Sequence, residues 1–133
     1  MKSKVLVSLL IASIMLFTLA APALAKPEKM EPVSPATQTG TGHGSVRQNK
    51  DGHPIISVSI RKAIPNETYS VELQSNLGYW VVGTLTTNSR GAGRFKVVET
   101  DIGKYSGVTW FRPWLLAGSG NYRTTNTFAV EFS

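Results

Sequence analysis

Two histidines, His43 and His53, flank the segment Asn49-Lys50-Asp51-Gly52. Gly52 suits the positive φ of a tight turn, so the flanking segments are expected to run back on each other. Folded that way, two imidazoles and the Asp51 carboxylate would offer a ligand set for Zn or Cu. The alternative is two solvated polar residues beside a loop, since no third firm ligand is apparent. No other cofactor is implied.

A second candidate is aromatic. Tyr79, Trp80, Tyr105, Trp110, Phe111, Trp114 and Tyr122 crowd the second half of the chain. Rings held outward on a β surface can stack on sugar faces, and exposed aromatic patches mark binding sites. Alternation across Val108–Leu116 puts Trp110, Arg112 and Trp114 on one face and Phe111, Pro113 and Leu115 on the other. Arg112, Trp114 and Tyr122 are the residues expected to line a ligand patch, and Trp110 is expected to serve the core. The competing reading makes all these rings core, because a domain without disulfides needs large side chains inside.

Asn66-Glu67-Thr68 fits the N-glycosylation acceptor pattern within an expected turn; the same residues also suit the turn alone. Catalytic patterns are missing. Gly118-Ser119-Gly120 lacks the spacing of a nucleophile elbow. Glu99 and Asp101 stand two apart at a strand end, better suited to solvation or loop chemistry than to paired acid–base work. The chain therefore reads as non-enzymatic.

These groups must be positioned by short strands. Ile56, Val58 and Ile60 alternate with Ser57, Ser59 and Arg61; Tyr69, Val71 and Leu73 alternate with Ser70, Glu72 and Gln74. That period of two predicts half-buried strands. Tyr79–Thr87 is apolar on both sides, as a central strand covered on two faces would be. Asn88–Gly93 is a loop, and Arg94–Thr100 returns as the other arm of a hairpin. Pro113 argues for an edge, a bulge or a bend. Ala117–Asn121 reads as a glycine-rich loop, and Thr125–Phe132 as the last strand. No stretch has convincing helical period. The expected fold is a single all-β, immunoglobulin-like sandwich of about seven strands over residues 43–133.

Ahead of it, Lys2 and Lys4 precede an apolar run, Val5–Leu19, that ends in Ala23-Leu24-Ala25. A basic head, a short apolar middle and a small-residue exit make a secretory signal over 1–25, cleaved after Ala25. Lys26–Gly42, with three prolines and few apolar residues, reads as a flexible tether. The protein is expected to act outside the cytoplasm, with no membrane span in the mature chain. There is no cysteine, which excludes a disulfide framework and thiolate chemistry. Without Lys2 and Lys4, 12 basic residues stand against 8 acidic, a net +4 with no run longer than Arg61-Lys62. Nucleic acid is not an expected partner, whereas mild attraction to anionic polymers or envelope surfaces fits.

The phrase Val58-x-Ile60, Ala63-Ile64-Pro65-Asn66-x-Thr68-Tyr69-x-Val71-x-Leu73, Val82-Gly83-Thr84-Leu85-x-Thr87, Gly91-x-Gly93-x-Phe95 resembles secreted bacterial and archaeal β-sandwich domains of uncharacterised function. It is also similar to the chordin-type domain, which has the topology of copper/zinc superoxide dismutase. The resemblance implies a sandwich and no activity. Dismutase sites need several His ligands, and His43 and His53 are too few. The expectation is a secreted, non-enzymatic structural, adhesion or binding protein. Its partners would be a polysaccharide, an envelope protein or, through an open sheet edge, a second copy. Alternatives are a carbohydrate-binding module using the late aromatics and a small metal-binding protein.

Overall fold

A computed structural model describes residues 26–34 and 39–132. The secretory signal expected over 1–25 lies outside the described residues, as do residues 35–38 of the expected tether. The strands are β1 (Glu28–Ser34), β2 (Thr41–Gln48), β3 (Pro54–Arg61), β4 (Thr68–Ser75), β5 (Tyr79–Thr86), β6 (Gly93–Val98), β7 (Trp110–Ala117), β8 (Gly120–Thr124) and β9 (Phe128–Ala129). One 3-10 turn, Ile102–Tyr105, joins β6 to β7.

The protein is all-β, with nine strands rather than about seven. They form one antiparallel sheet in the order β5-β4-β7-β8-β1-β2-β3-β6, with β9 added to β7. The sheet rolls until its two edges approach: the Phe95 ring on β6 lies against Gly83 on β5, and Leu85 on β5 lies against Gly93. A Cβ at Gly83 would overlap that ring, so a small residue is required for the seam to draw together. The β5–β6 loop starts a hairpin, Asn88 N–H donating to the Ala92 carbonyl at 2.8 Å. No ladder between β5 and β6 continues it among the described residues.

Alternation fills the interior. Ile56, Val58 and Ile60 from β3, Tyr69, Val71 and Leu73 from β4, and Phe111 and Leu115 from β7 are all buried. Each strand turns one residue in two inward, so the serines and charges between them remain outside. Aromatic plugs close the two ends. At one, Tyr105 from the 3-10 turn meets Trp80 edge-on at 5.0 Å and Phe111 at 5.2 Å. At the other, Tyr69 and Tyr122 meet edge-on at 5.9 Å. Edge-to-face pairs add stabilisation beyond their buried area.

Two hairpin turns share one design. Asn49 Oδ1 accepts from the N–H groups of Asp51 and His53; Asn88 Oδ1 accepts from those of Arg90 and Ala92. A glycine with positive φ stands three residues after each asparagine, Gly52 at +82° and Gly91 at +75°. The asparagine side chain supplies the turn's hydrogen bonds and glycine its left-handed step.

Several expectations are corrected. The tether of residues 26–42 is largely structured: β1 lies inside the sheet between β8 and β2, and β2 starts at Thr41. Met30 is 0% exposed, packed near Gly44 and Thr124. Three prolines do not prevent this, because the neighbouring strands supply the order that local composition lacks. β8 begins at Gly120, within the segment read as a loop. Trp110 faces outward with Arg112 and Trp114, and Phe111 takes the core position. β5 is a sheet edge and not a central strand, so its outward apolar residues are exposed.

Met30→Ala is expected to cost about 2–5 kcal/mol, read from urea denaturation. Removing residues 26–34 should abolish the cooperative transition altogether; a tether could be removed without effect. A second prediction concerns pH. Burial raises the Tyr105 phenol above its ordinary value, partly offset by the nearby Lys104 ammonium, 4.9 Å from the ring centre. Lys104 is also raised: burial pulls it down, but its hydrogen bond to Glu99 and its nearness to Tyr105 outweigh that. Both shifts favour the fold below about pH 10, and that contribution is lost as pH rises through the folded-state values. The urea midpoint should therefore fall between about pH 9 and 11, and fall less in Tyr105→Phe; an equal fall would remove Tyr105 as the cause.

Candidate functional site

The outward side of β7 carries Trp110, Arg112 and Trp114 between the buried Phe111, Pro113 and Leu115. Antiparallel pairing spreads this row over four strands. Trp114 stands opposite Glu72 of β4 and Arg123 of β8, and Glu72 in turn stands opposite Val81 of β5. One step along, Gln74 stands opposite Tyr79 and Arg112. Tyr79 is 60% exposed and Val81 66%, and Leu77 is exposed beside them in the β4–β5 turn.

Trp114 is held from two sides. Its indole N–H donates to Gln74 Oε1 at 2.7 Å, and the Arg123 guanidinium lies 5.3 Å from its ring centre. Gln74 thus commits its carbonyl to Trp114 and keeps two N–H donors for outside partners. The result is a rigid face with an open phenol ring, a fixed indole, a carboxylate and a guanidinium.

Of the residues picked from the sequence, the structure unites Arg112 and Trp114 on this face and separates Tyr122 from them. Tyr122 is 0% exposed and packs on Tyr69, because β8 turns Arg123 outward instead. Arg112 has a structural task. Its Nε donates to the Thr124 carbonyl at 2.8 Å and its Nη2 to the Thr125 carbonyl at 2.9 Å. These bonds bridge the point where β7 stops pairing with β8, at Trp114, and starts pairing with β9, at Phe111. Pro113, which has no N–H to offer, falls in that gap. Burial, then the nearby Arg123 charge, holds the Arg112 guanidinium below its ordinary value.

The metal pair is not brought together. His43 stands opposite Ser59, whereas His53 lies beyond the Gln48–Pro54 pair at the hairpin end. Five strand residues lie between these positions, roughly 20 Å at the usual rise. Among the described residues, no group of three His, Asp or Glu side chains is placed to hold a metal ion. Glu99, one of the two carboxylates weighed above, pairs with Lys104 at 2.9 Å. Asn66 is exposed at φ +54° in the β3–β4 turn, with its backbone N–H on the Asn88 carbonyl at 3.1 Å, so its side chain is open to modification.

The opposite wall carries a shallow groove of about 340 Å³ above β3, lined by Pro27, His43, Ser45, Ser57, Ser59 and the β6 residues Arg94–Lys96. Sequence reading missed this groove, and it counted Tyr79 among the late aromatics without placing it in the ligand patch. The serines were legible as the outward half of β3, but the strands that flank them were not. No family model, no curated protein and no solved structure matches the chain.

Arg112→Met should lower stability by about 1.5–3 kcal/mol in urea denaturation, through loss of two charged hydrogen bonds. Tyr122→Ala should cost about 3–5 kcal/mol. A Tyr122→Ala protein of unchanged stability would return that residue to the surface.

Proposed function

We propose that the protein is a non-enzymatic binding module acting outside the cytoplasm, holding a polysaccharide against the outward face of β5, β4, β7 and β8. One observation carries the reading: Tyr79 stands 60% exposed on a strand, beside Gln74 with free N–H donors and Glu72. An aromatic ring takes the apolar face of a sugar, and fixed polar groups around it take the hydroxyls. A rigid sheet keeps these groups preorganised, which lowers the entropy cost of binding. The secretory pattern at residues 1–25 supports the compartment, and the lack of a catalytic pattern in the sequence supports a binding role.

A second reading comes from the same strand. β5 is an edge whose neighbour β6 does not pair with it along its length, and Leu77, Tyr79 and Val81 are exposed there. Such an edge can accept a strand from an envelope protein or a second copy.

Titration of the purified protein against soluble neutral polysaccharides, followed by thermal shift, separates the two. Tyr79→Ala is expected to weaken binding by up to about tenfold while leaving the melting temperature of the free protein unchanged. If no polysaccharide shifts the melting curve, and the protein instead self-associates in a manner that Val81→Lys abolishes, the edge reading replaces the first.

A further inference from the structure

The groove over β3 has a charge pattern that appears only when three strands are laid side by side. Pairing sets four rows across β2, β3 and β6. They read Arg47–Ile55–Val98, Ser45–Ser57–Lys96, His43–Ser59–Arg94 and Thr41–Arg61. Each row holds one permanent cation: Arg47, Lys96, Arg94 and Arg61 in turn. Rows two residues apart are spaced by about 6.8 Å, so the cations climb a ladder roughly 20 Å long.

The floor is built from small side chains, with serine hydroxyls set in a surface that is mostly carbon. Ser57 and Ser59 are the outward residues of the central strand, and Ser45 lies beside Ser57. Large side chains on both flanks, His43 on one and Arg94 and Lys96 on the other, make the concavity. A second hollow lined by Ser59, Arg61, Ala92 and Arg94 continues it towards the β5–β6 turn, which carries Arg90. The outward positions of β2, β3 and β6 contain no carboxylate. On β1, Glu28 accepts hydrogen bonds from Thr125 and Asn126, and Glu31 has Arg123 opposite it on the β8 side. None of Ser45, Ser57, Ser59, Arg94 or Lys96 has a side-chain hydrogen bond or ion pair among the described residues.

We infer that this groove is a binding site for a linear acidic polysaccharide, its carboxylate or sulfate groups meeting the cation ladder and its hydroxyls the three serines. Like charges at successive rows, Arg47 on one flank, Arg61 on the central strand and Arg94 and Lys96 on the other flank, select a polymer with repeated anionic groups, and guanidinium favours carboxylate and sulfate geometry. Nucleic acid is the poorer fit, because no aromatic side chain stands outward on these three strands to stack a base. The groove lies on a different wall from Tyr79 and stands without that residue.

The test titrates the purified protein with polygalacturonate, dextran sulfate, neutral dextran and poly(dT). The acidic polysaccharides should bind and dextran should not bind the groove, with affinity falling more than about tenfold as salt rises to 0.5 M. Arg94→Gln/Lys96→Gln should weaken binding at least tenfold. Lys50→Gln/Lys104→Gln, an equal charge change away from the groove, should change it less than twofold. Tyr79→Ala should leave acidic-polymer affinity intact, which keeps failure of this site distinguishable from failure of the aromatic face. Equal losses in the two double variants, binding of poly(dT) as tight as that of the acidic sugars, or no acidic polysaccharide bound would each overturn the proposal.

Discussion

The hydrogen-bond ladders on the two sides of β1 hold the sheet together. On one side stand β8, β7, β4 and β5; on the other, β2, β3 and β6. Each group is a curved sheet with an apolar inner face, and neither can bury that face alone. β1 joins them, pairing Met30 with Gly42 on β2 and with Thr124 on β8. With it in place, two open edges vanish and the Met30 side chain reaches the core. Every later feature, from the position of Tyr122 to the alignment of the outer faces, depends on that join.

The remaining edges meet at the β5–β6 seam, which glycine and one ring close. Gly83 admits the Phe95 ring, and Gly93 admits Leu85. The hairpin is fixed at its turn by Asn88 and Gly91, and then the strands separate. Trp80, Val82, Phe95 and Val97 along the seam remain partly exposed for that reason. Tyr79 and Val81 are exposed because alternation along β5 turns them away from the core.

Chemistry is divided between the two walls. The β5-β4-β7-β8 wall presents rings and mixed charge, with Trp114 fixed by Gln74 and Arg123. The β2-β3-β6 wall presents serines beneath like-charged cations. Preorganisation is common to both, since each group stands on a paired strand and not on a loop. The Arg112 bridge to the Thr124 and Thr125 carbonyls serves the first wall indirectly, by carrying β7 across the gap between β8 and β9.

Much of this fold was legible in the residues. The inward sets of β3, β4 and β7 follow from period-two alternation, and the turns at Asn49–Gly52 and Asn88–Gly91 from asparagine and glycine. These are local effects, in which a residue's type restricts its own backbone and face. Other features required partners distant in the chain. Residues 28–34 have too little apolar content to specify a strand, and β8 and β2 supply the missing hydrogen bonds. Tyr122 faces inward because pairing with β7 and β1 sets the parity of a five-residue strand. The cation ladder draws Arg47, Arg61, Arg94 and Lys96 from three strands, and only their register puts one charge in each row. Alternation alone determines which residues share a side of one strand; cross-strand hydrogen bonds, formed in the folded sheet, decide which strands stand together and therefore what each wall can bind.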